Sequence, residues 1–492
     1  MKRIAKLFVV CAGLACFSVS LPAKEAPASV QPADETVQRI AALESCLPYP
    51  VAVKDHPLPC TSLEARMRAL HVPGVSIAVI HHGAIVWAKG FGVAQIGGKP
   101  VTVDTLFRAG SISKPTSAMA ALHLVQQGKL SLDADVNRSL TSWQLPPSPQ
   151  APGAVVTLRE LLTHTAGLSV HGFPGYAANE PLPTLVQVLN GQKPANTEAV
   201  RLESMPGSEW KYSGGGYTVM QLLVQDVTKQ AFAPFLHDTV LAPIGMSHST
   251  FQQPLPVSYR DVAATPYGKD GKPIPGGAHT YPEQAAAGLW TTPSDLARLL
   301  LEIQQSSQGN ANHVLDQDMT RKMLTPGKGR WGLGLEIGGS VADPYFGHGG
   351  SDAGFESQIM SYQNHGDGVA IMTNGEHGSQ LVKQILAAVA AACAWPDFQP
   401  RQRAAVTLDR SELARYVGNY VLEEGAPITI TLEGNQLISR IADQPAFPMF
   451  AESSGKFFTS MGPEFEFHSG AGGRMDGIVL REGGDNYPGK RK

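Results

Sequence analysis

The sequence predicts an α+β protein in which an antiparallel sheet is flanked by helices, followed by a small C-terminal all-β barrel domain. Strand-like runs at 73–80 and 84–90 are separated by a short histidine-glycine turn, which is a hairpin pattern. Further strand-like runs between residues 330 and 373 precede a helical run at 379–394. From residue 411 onward the chain changes to short strands separated by turns, the spacing typical of small barrels and sandwiches.

The N-terminus has the pattern of an export signal. Residues 1–23 start with basic residues, continue with an apolar run from Leu7 to Phe17 and end on small residues at Ala23. This run is too short for a mature membrane anchor, so we expect cleavage after Ala23 and a periplasmic or secreted protein. Cys16 offers a second interpretation, a lipoprotein signal, although Gly13 stands where such signals usually have a leucine-like residue.

Composition divides the remaining chain into four segments. We predict a flexible leader at 24–60 with a short helix at 35–43, a main domain at 61–395, a polar linker at 396–410 and the β domain at 411–492. Cys46 and Cys60 bracket a proline-rich loop, and in an exported protein they are expected to form a disulfide. Cys393 would then remain free, as a small hydrophobic residue at the end of a helix.

Charge and composition limit the partners that this chain is expected to have. The formal net charge is −3, and removal of the basic signal would make the mature chain more acidic. Without a basic patch, a nucleic-acid partner is not expected. His81 and His82 are interpreted as an exposed turn, because no further ligand lies near them at metal spacing in the sequence. We therefore expect no metal and no cofactor.

The candidate catalytic centre starts with Ser111 and Lys114, at the head of an apolar helical run that reaches Val125. Three residues make nearly one helical turn, so the hydroxyl and the amine would face the same side. A serine hydroxyl needs a base to become a nucleophile, and a partly buried lysine with a lowered pKa can serve. The free N–H groups of a helix start could stabilise an oxyanion. Taken alone, the pair is a weak signal, and a capped surface helix is the favoured interpretation unless other segments supply partners.

Three other segments carry side chains suited to this chemistry. Tyr212-Ser213-Gly214 opens a glycine-rich turn that can expose a side chain, although Tyr212 as core filler is the alternative. His348-Gly349-Gly350-Ser351 lies within a predicted strand. His164 could act as a base, but neighbouring hydroxyls can satisfy it locally, so we interpret it as structural. The loop-rich stretch at 169–209 is predicted to lie over the site, and neither it nor the stretch at 252–282 has a readable specificity pattern.

The order of these motifs resembles that of the serine β-lactamase and penicillin-binding-protein superfamily, in its class C-like branch. The resemblance covers roughly residues 61–395 and implies a β-lactamase/transpeptidase-like fold. The branch includes class C β-lactamases, D-alanyl-D-alanine carboxypeptidases, D-aminopeptidases and esterases. In the C-terminal segment, Tyr416-Val417-Gly418-Asn419-Tyr420 resembles the lipocalin-like β domain of several hydrolases in this group. The motifs of the main domain are Ser111-Ile112-Ser113-Lys114, Leu161 to Leu168, Tyr212-Ser213-Gly214 and His348-Gly349-Gly350.

The resemblance also implies roles for the individual residues. Ser111 would be the nucleophile, and Lys114 would share its proton. Tyr212 would be the general base or proton relay, with its phenol pKa lowered by Lys114. His348 would lie beside Tyr212 on the inner edge strand, where the family has a lysine. The backbone N–H groups of Ser111 and Ser351 would form the oxyanion hole, with Gly350 as a neighbour in the substrate site.

Two departures from the family pattern bear on the substrate. Gly214 stands where the family often has an asparagine that binds the acyl amide, and His348 would give only a weaker, pH-dependent charge for a substrate carboxylate. Both favour an esterase or a D-amino-acid-type peptidase over a true β-lactamase or a D-alanyl-D-alanine carboxypeptidase. Gly214 also favours an alternative hypothesis, a non-catalytic penicillin-binding or sensor protein that keeps the fold. The presence of Ser111, Lys114 and Tyr212 argues against it, since a binding protein does not need all three.

Other enzyme classes fit less well. An α/β-hydrolase needs Gly-x-Ser-x-Gly, and Gly349-Gly350-Ser351-Asp352-Ala353 fails at its last position. A metallohydrolase is disfavoured because the sequence has no His-Glu-x-x-His. The expected partner is thus a small-molecule or peptide substrate, with a cell-wall peptide or a β-lactam among the candidates, and a homo-oligomer is left open.

Overall fold

The computed structural model describes residues 32–423, 425–470, 475–482 and 485–492. The predicted signal segment at 1–23 lies outside these residues. Across the described ranges, no helix combines the length and the apolar character needed to cross a membrane.

Several helices of the main domain begin at hydrogen-bonding caps. The side chain of Ser62 accepts from Ala65 N–H, and that of Thr292 accepts from Asp295 N–H with a proline in the first turn, both common N-terminal patterns. The helices are Pro32–Ser45 (α1), Leu63–Ala69 (α2), Ser113–Gln126 (α3), Leu158–Leu162 (α4), Leu185–Asn190 (α5), Gly214–Thr228 (α6), Phe232–Leu236 (α7), Val257–Arg260 (α8), Gln284–Ala287 (α9), Pro293–Gln308 (α10), Gln317–Met323 (α11), Gly378–Ala392 (α12) and Arg410–Leu413 (α13).

A six-stranded antiparallel sheet forms the centre of the main domain, in the order β3-β2-β9-β8-β7-β6. The predicted α+β class and the predicted hairpin are confirmed. The prediction of a strand at 330–335 is wrong, and the strand starts at Glu336 instead. The reason is that Gly334 has a φ of +104°, which an extended strand does not adopt. Strands before the C-terminal domain are Val51–Val53 (β1), Gly74–His81 (β2), Ala84–Gly92 (β3), Phe107–Arg108 (β4), Trp290–Thr291 (β5), Glu336–Gly339 (β6), Pro344–Asp352 (β7), Phe355–Tyr362 (β8), Gly368–Thr373 (β9) and Arg401–Arg403 (β10).

Helices cover both faces of this sheet, and β2 shows how the sequence specifies the two cores. Ala78 and Ile80 belong to the core shared with α3, α6 and α10, whereas Val75, Ile77 and Val79 belong to the core shared with α2 and α12. Successive side chains of a strand point to opposite faces. A strand buried on both sides therefore has the continuous apolar sequence seen here.

The segment before residue 61 is part of the fold from residue 32, so the prediction of a flexible leader is wrong there. Leu43 is 4% exposed and Leu47 is fully buried, and both pack in the core that contains α12. Cys46 and Cys60, the pair predicted from the sequence, form a disulfide with a Cα–Cα distance of 5.4 Å. Between them, β1 pairs in parallel with β10, which lies inside the predicted linker. Burial of Leu43, Leu47, Val51 and Val53 explains why this segment is part of the fold.

The C-terminal segment forms a closed eight-stranded antiparallel barrel, as predicted. Its interior is filled by side chains that include Tyr416, Phe457 and Phe467, with ring centroids 4.9–5.7 Å apart. The sequence analysis missed the last strand, which contains a proline and a glycine, residues that are rare in strands. The strands are Gly418–Leu422 (β11), Pro427–Glu433 (β12), Gln436–Ile441 (β13), Phe447–Ser453 (β14), Lys456–Thr459 (β15), Glu464–Ser469 (β16), Met475–Glu482 (β17) and Asp485–Arg491 (β18).

Strand β1 connects the barrel to the main domain. Val51 and Val53 pack with Phe450 and Phe458 of the barrel in a separate small core. The backbone N–H of Val51 also donates to the carbonyl of Ser460, at 3.0 Å. The disulfide-closed loop therefore holds the barrel in place.

Candidate active site

Ser111 lies in a short 3₁₀ turn, Gly110–Ile112, immediately before α3. Gly110 has a φ of +52°, and a Cβ atom there would lie 2.6 Å from the backbone nitrogen of Ser351 on β7. Only glycine fits this contact without strain, since it combines a positive φ with no side chain. The hydroxyl of Ser113 fixes the turn by donating to the carbonyl of Gly110 at 2.6 Å and accepting from Leu289 N–H at 2.9 Å.

Lys114 is buried, with 2% of its surface exposed, and its amine reaches the nucleophile. The Nζ atom lies 3.0 Å from Ser111 Oγ and donates to the carbonyl oxygen of Ala286 at 3.0 Å. Burial lowers the pKa of Lys114 to about 7, against the opposing effect of the Asp352 carboxylate. A large fraction of the amine is therefore neutral near pH 7 and able to accept the serine proton.

Tyr212 lies beside the same serine and its lysine. Its hydroxyl is hydrogen-bonded to Ser111, and the Nζ atom of Lys114 sits 4.8 Å from the centroid of its ring. Burial raises the pKa of the Tyr212 phenol, so the predicted lowering by Lys114 is wrong. The physical reason is that the buried hydroxyl loses its hydration, which disfavours the phenolate. Tyr212 therefore stays protonated and is suited to donate or relay a proton.

His348 on β7 is 5% exposed, and its ring centroid is 6.2 Å from that of Tyr212. Its Nδ1 lies 2.5 Å from the carbonyl oxygen of Gly349, so the ring proton is on Nδ1. The Nε2 lone pair is buried without a hydrogen-bond partner among the described residues. Burial, and then the nearby Lys114, lower the pKa of His348 to about 3. The predicted charge for a substrate carboxylate is therefore wrong, and His348 offers a neutral acceptor.

The rest of the β7 motif presents main chain to Ser111. A Cβ atom on Gly350 would lie 2.0 Å from the carbonyl oxygen of Ala109, so this glycine is required by close approach. The Ser351 hydroxyl points to the opposite face of the sheet, where it donates to Glu356 at 2.7 Å. Ser351 can thus serve the site only through its backbone N–H, as the oxyanion-hole prediction requires.

The half of β7 that carries these residues has an open edge. Strand β6 pairs with β7 only as far as Gly347. Beyond that point, within the described ranges, no strand pairs with this edge of His348–Asp352, although the strand as a whole is not at the edge of the sheet. An extended substrate could therefore pair with the backbone beside Ser111.

The start of the 169–209 stretch fills the space around Gly214. The Gly214 N–H donates to the carbonyl of His171 at 3.0 Å, and a Cβ atom there would lie 2.9 Å from the ring of Phe173. The ring of His171 lies 4.8 Å from that of Tyr212, and burial followed by Lys114 lowers its pKa. Sequence analysis expected this stretch to lie over the site but did not single out His171, because the stretch has no readable specificity pattern.

Aromatic rings enclose Lys114 and Tyr212, and most of them were not predicted as site residues. The ring of His164 lies 4.2 Å from that of Tyr212 and 5.1 Å from that of Trp331. His164 Nδ1 accepts from the backbone N–H of Ser213 at 3.1 Å, so its role is to position the Tyr212 segment. Trp331 was missed because its glycine-flanked segment had been interpreted as a strand. This enclosure explains the loss of hydration that shifts the neighbouring pKa values.

A buried ion pair joins the strands behind the site. Arg108 Nε donates to Asp352 at 2.7 Å, and Arg108 Nη2 donates to the carbonyl of Ala287 at 2.7 Å. The same guanidinium stacks 4.2 Å from the ring centroid of Tyr281. Arg108 therefore ties β7 to the α9 turn that accepts the Lys114 hydrogen bond. Sequence analysis did not single out this pair.

The fold, with Ser111, Lys114 and Tyr212 side by side, is that of the β-lactamase-type serine hydrolases. The chain belongs to the beta-lactamase family, whose family model matches residues 61–394. Residues 402–489 match a second model, a domain of unknown function named DUF3471. The resemblance stated from the sequence is thereby confirmed.

The curated relatives that the chain matches share less than a third of their aligned residues with it. The chain is 23% identical over 431 residues to penicillin-binding protein 4* of Bacillus subtilis, covering 82% of this chain and 92% of that protein. It is 29% identical over 199 residues to the Staphylococcus aureus (strain MRSA252) protein flp, covering 39% of this chain and 38% of the relative. Against flp of strain MW2 the match is 26% over 343 residues, 66% of this chain and 64% of the relative. The chain thus spans less than two thirds of these staphylococcal proteins.

Solved structures share the fold at low identity. The octameric penicillin-binding protein homologue from Pyrococcus abyssi has a TM-score of 0.59 at 24% identity, covering 87% of this chain and 99% of that one. D-amino acid amidase from Ochrobactrum anthropi has a TM-score of 0.53 at 22% identity, covering 67% and 97%. A D-alanine carboxypeptidase from Burkholderia cenocepacia has a TM-score of 0.51 at 23% identity, covering 72% and 98%.

Proposed function

We propose that this protein is an exported serine hydrolase that cleaves an ester or amide bond through an acyl-enzyme on Ser111. The observation that carries this proposal is the pair of Ser111 Oγ and Lys114 Nζ at 3.0 Å, with burial lowering the pKa of the lysine to about 7. A buried lysine near neutral pH is a competent base for a serine hydroxyl. A surface helix with the same two residues would have a solvated, charged lysine instead.

Acylation follows from these positions. As Ser111 Oγ bonds to the substrate carbonyl carbon, its proton moves to the neutral amine of Lys114. The carbonyl oxygen becomes an oxyanion, which the N–H groups of Ser111 and Ser351 would stabilise. The bond to the leaving group then breaks, and that group takes a proton from Lys114 through the Tyr212 hydroxyl. This leaves an ester on Ser111 and a neutral amine on Lys114.

Deacylation would use the same groups. A water molecule attacks the acyl ester while its proton moves to the neutral amine of Lys114, with the Tyr212 hydroxyl as a relay. The second oxyanion collapses, the bond to Ser111 Oγ breaks, and the proton returns to the serine. The acid product leaves and the resting arrangement is restored.

The surroundings of Ser111 favour an uncharged acyl donor or one with a free amine over one with a nearby carboxylate. His348 is neutral at physiological pH, since its pKa is lowered to about 3, and its Nε2 accepts hydrogen bonds rather than attracting an anion. Arg108 is engaged by Asp352 and by backbone carbonyls. We therefore favour an esterase or a D-amino-acid-type peptidase. The structural similarity to D-amino acid amidase from Ochrobactrum anthropi supports the second choice at the level of the fold.

A true β-lactamase or a D-alanyl-D-alanine carboxypeptidase is the second candidate. The open backbone edge beside His348 favours it, because an extended peptide or a β-lactam amide can pair there. The similarity to penicillin-binding protein 4* and to the carboxypeptidase structure supports it at the level of the fold. An assembly of several copies is a further proposal, motivated by the octameric state of the Pyrococcus abyssi homologue.

The test compares the wild type with Ser111→Ala and with Ser247→Ala, which changes an exposed serine outside the site. Each is incubated with a fluorescent penicillin, a short-chain p-nitrophenyl ester and a D-amino-acid amide, and covalent labelling and turnover are followed. We expect turnover of the ester or the amide in the wild type and in Ser247→Ala, and none in Ser111→Ala. Labelling by penicillin without turnover would favour the non-catalytic binding protein. Turnover that persists in Ser111→Ala would refute the proposed nucleophile.

A further inference from the structure

We infer that His81, His82 and Asp367 form a binding site for a divalent transition-metal ion, for which Zn²⁺ is the appropriate probe. One ligand atom from each of the three residues lies within 4.8 Å of the others. The site is on the turns β2–β3 and β8–β9, so it is separate from Ser111 and independent of the proposed hydrolase activity. It revises the expectation of no metal, which rested on sequence spacing alone.

The fold brings two distant turns into contact. The N–H of Gly83 donates to the carbonyl of Gly366 at 2.8 Å, and a Cβ atom on Gly366 would lie 2.5 Å from that nitrogen. Neighbouring strand residues normally point to opposite faces of a sheet. His82 instead has a φ of +51°, and its ring centroid lies 3.8 Å from that of His81. Two imidazoles that the strand would separate are therefore placed side by side.

Asp367 supplies a carboxylate held toward these rings. Its Oδ1 atom lies 2.7 Å from His81 Nδ1 and accepts from the backbone N–H of His82 at 3.2 Å. Its Oδ2 atom accepts from Trp395 Nε1 at 3.1 Å. Outer hydrogen bonds of this kind orient a metal-ligating carboxylate. The Asp367 side chain is buried, whereas His82 is exposed, so the ion could enter from the His82 side.

The donor set selects the class of ion. Two imidazole nitrogens and one carboxylate oxygen match the ligands of zinc sites, in which these bonds are about 2.0–2.2 Å long. Calcium and magnesium prefer oxygen ligands throughout. On binding, the ion replaces the Nδ1 proton that His81 shares with Asp367, and the ring hydrogen moves to Nε2. His365 lies 3.4 Å from Asp367 Oδ2 and provides a further imidazole beside the cluster, with water able to complete the coordination.

The experiment measures metal binding directly, on the full chain prepared without a histidine tag. After dialysis against a chelator, Zn²⁺ is titrated against a chromophoric competitor, and Co²⁺ is added in a second series to follow its visible absorption. We expect one Zn²⁺ per chain, and a Co²⁺ spectrum of a site with nitrogen ligands. The variants His82→Ala and Asp367→Asn should weaken Zn²⁺ binding at least about 10-fold.

His237→Ala is the matched control, because His237 is also an exposed histidine, 2.8 Å from the carboxylate of Asp238, outside this cluster. We expect it to bind Zn²⁺ like the wild type. Should Asp367→Asn fail to fold, the exposed His82→Ala variant still decides the question. Absence of stoichiometric binding, or equal loss in His82→Ala and His237→Ala, would overturn the site. Binding that is retained in Ser111→Ala would show that it does not depend on the hydrolase centre.

Discussion

Replacing Lys114 by arginine tests whether the buried amine is the base that activates Ser111. At its ordinary pKa of 10.5, about one lysine in 3,000 would be neutral at pH 7, whereas at a pKa of about 7 roughly half are neutral. Burial thus raises the concentration of the base by about three orders of magnitude. Arginine stays protonated and cannot serve. We therefore expect Lys114→Arg to lower kcat/KM by about 10²–10⁴-fold, the usual contribution of a general base.

The assay is ester or amide turnover from pH 5 to pH 9, with Lys129→Arg as the control on an exposed lysine of the same region. Since the base must be neutral, wild-type kcat/KM should rise by about tenfold per pH unit well below pH 7 and level off above it. The Lys129→Arg variant should keep this profile. Wild-type activity that rises only near pH 10, or a folded Lys114→Arg variant with undiminished kcat/KM, would refute the assignment.

Three further predictions concern the frame around the nucleophile. Gly110→Ala should abolish covalent labelling of Ser111 by the substrate probes and lower the free energy of unfolding by about 1–3 kcal/mol. The reason is that the new Cβ would lie 2.6 Å from the backbone nitrogen of Ser351 at a residue with positive φ. A urea titration together with the labelling assay measures both effects. Lys114→Met should stabilise the fold more at pH 6 than at pH 10, by a few kcal/mol at most. The sign follows because the pKa of Lys114 in the folded protein, about 7, lies below the ordinary 10.5, so the stability of the wild type rises with pH between those values. The measurement is thermal melting of the wild type and the variant at both pH values, and a stability difference between them that is the same at pH 6 and pH 10 would contradict the reasoning. Replacing Cys46 and Cys60 by serine should lower the free energy of unfolding by about 2–4 kcal/mol while Ser111 turnover at 25 °C is retained, and a loss of turnover in the folded variant would contradict a purely structural bridge.

The elements that the sequence predicted well are those specified by local pattern. The β2–β3 hairpin, helix α3 and most barrel strands follow from alternation, apolar runs and turn residues, and the structure brings Ser111, Lys114, Tyr212 and His348 together as the ordered motifs implied. Identity and order of motifs are properties of the chain, so they can be read without coordinates.

The protonation states of the site residues could not be predicted in the same way. The pKa directions of Tyr212 and His348 were expected from their neighbours in the motif, yet burial decides both. Burial depends on residues outside these motifs, among them His164, His171 and Trp331, whose positions around Tyr212 and His348 are set by the fold. For the same reason the ordering of residues 32–60 was missed, because Leu43 and Leu47 find their partners on α12, more than 300 residues later.

The pairing of β2 with β9 also limits how early in synthesis the proposed nucleophile can be activated. Val75 pairs with Thr373, so the central sheet cannot close until most of the main domain has left the ribosome. Ser111 and Lys114 emerge long before the α9 turn and β7, which supply the carbonyl of Ala286 and the ring of His348. Without the burial that those segments provide, Lys114 is expected to be solvated and charged, and so unable to take a proton from Ser111. We therefore expect a nascent or truncated chain to lack the proposed hydrolase activity until α9 and β7 are in place.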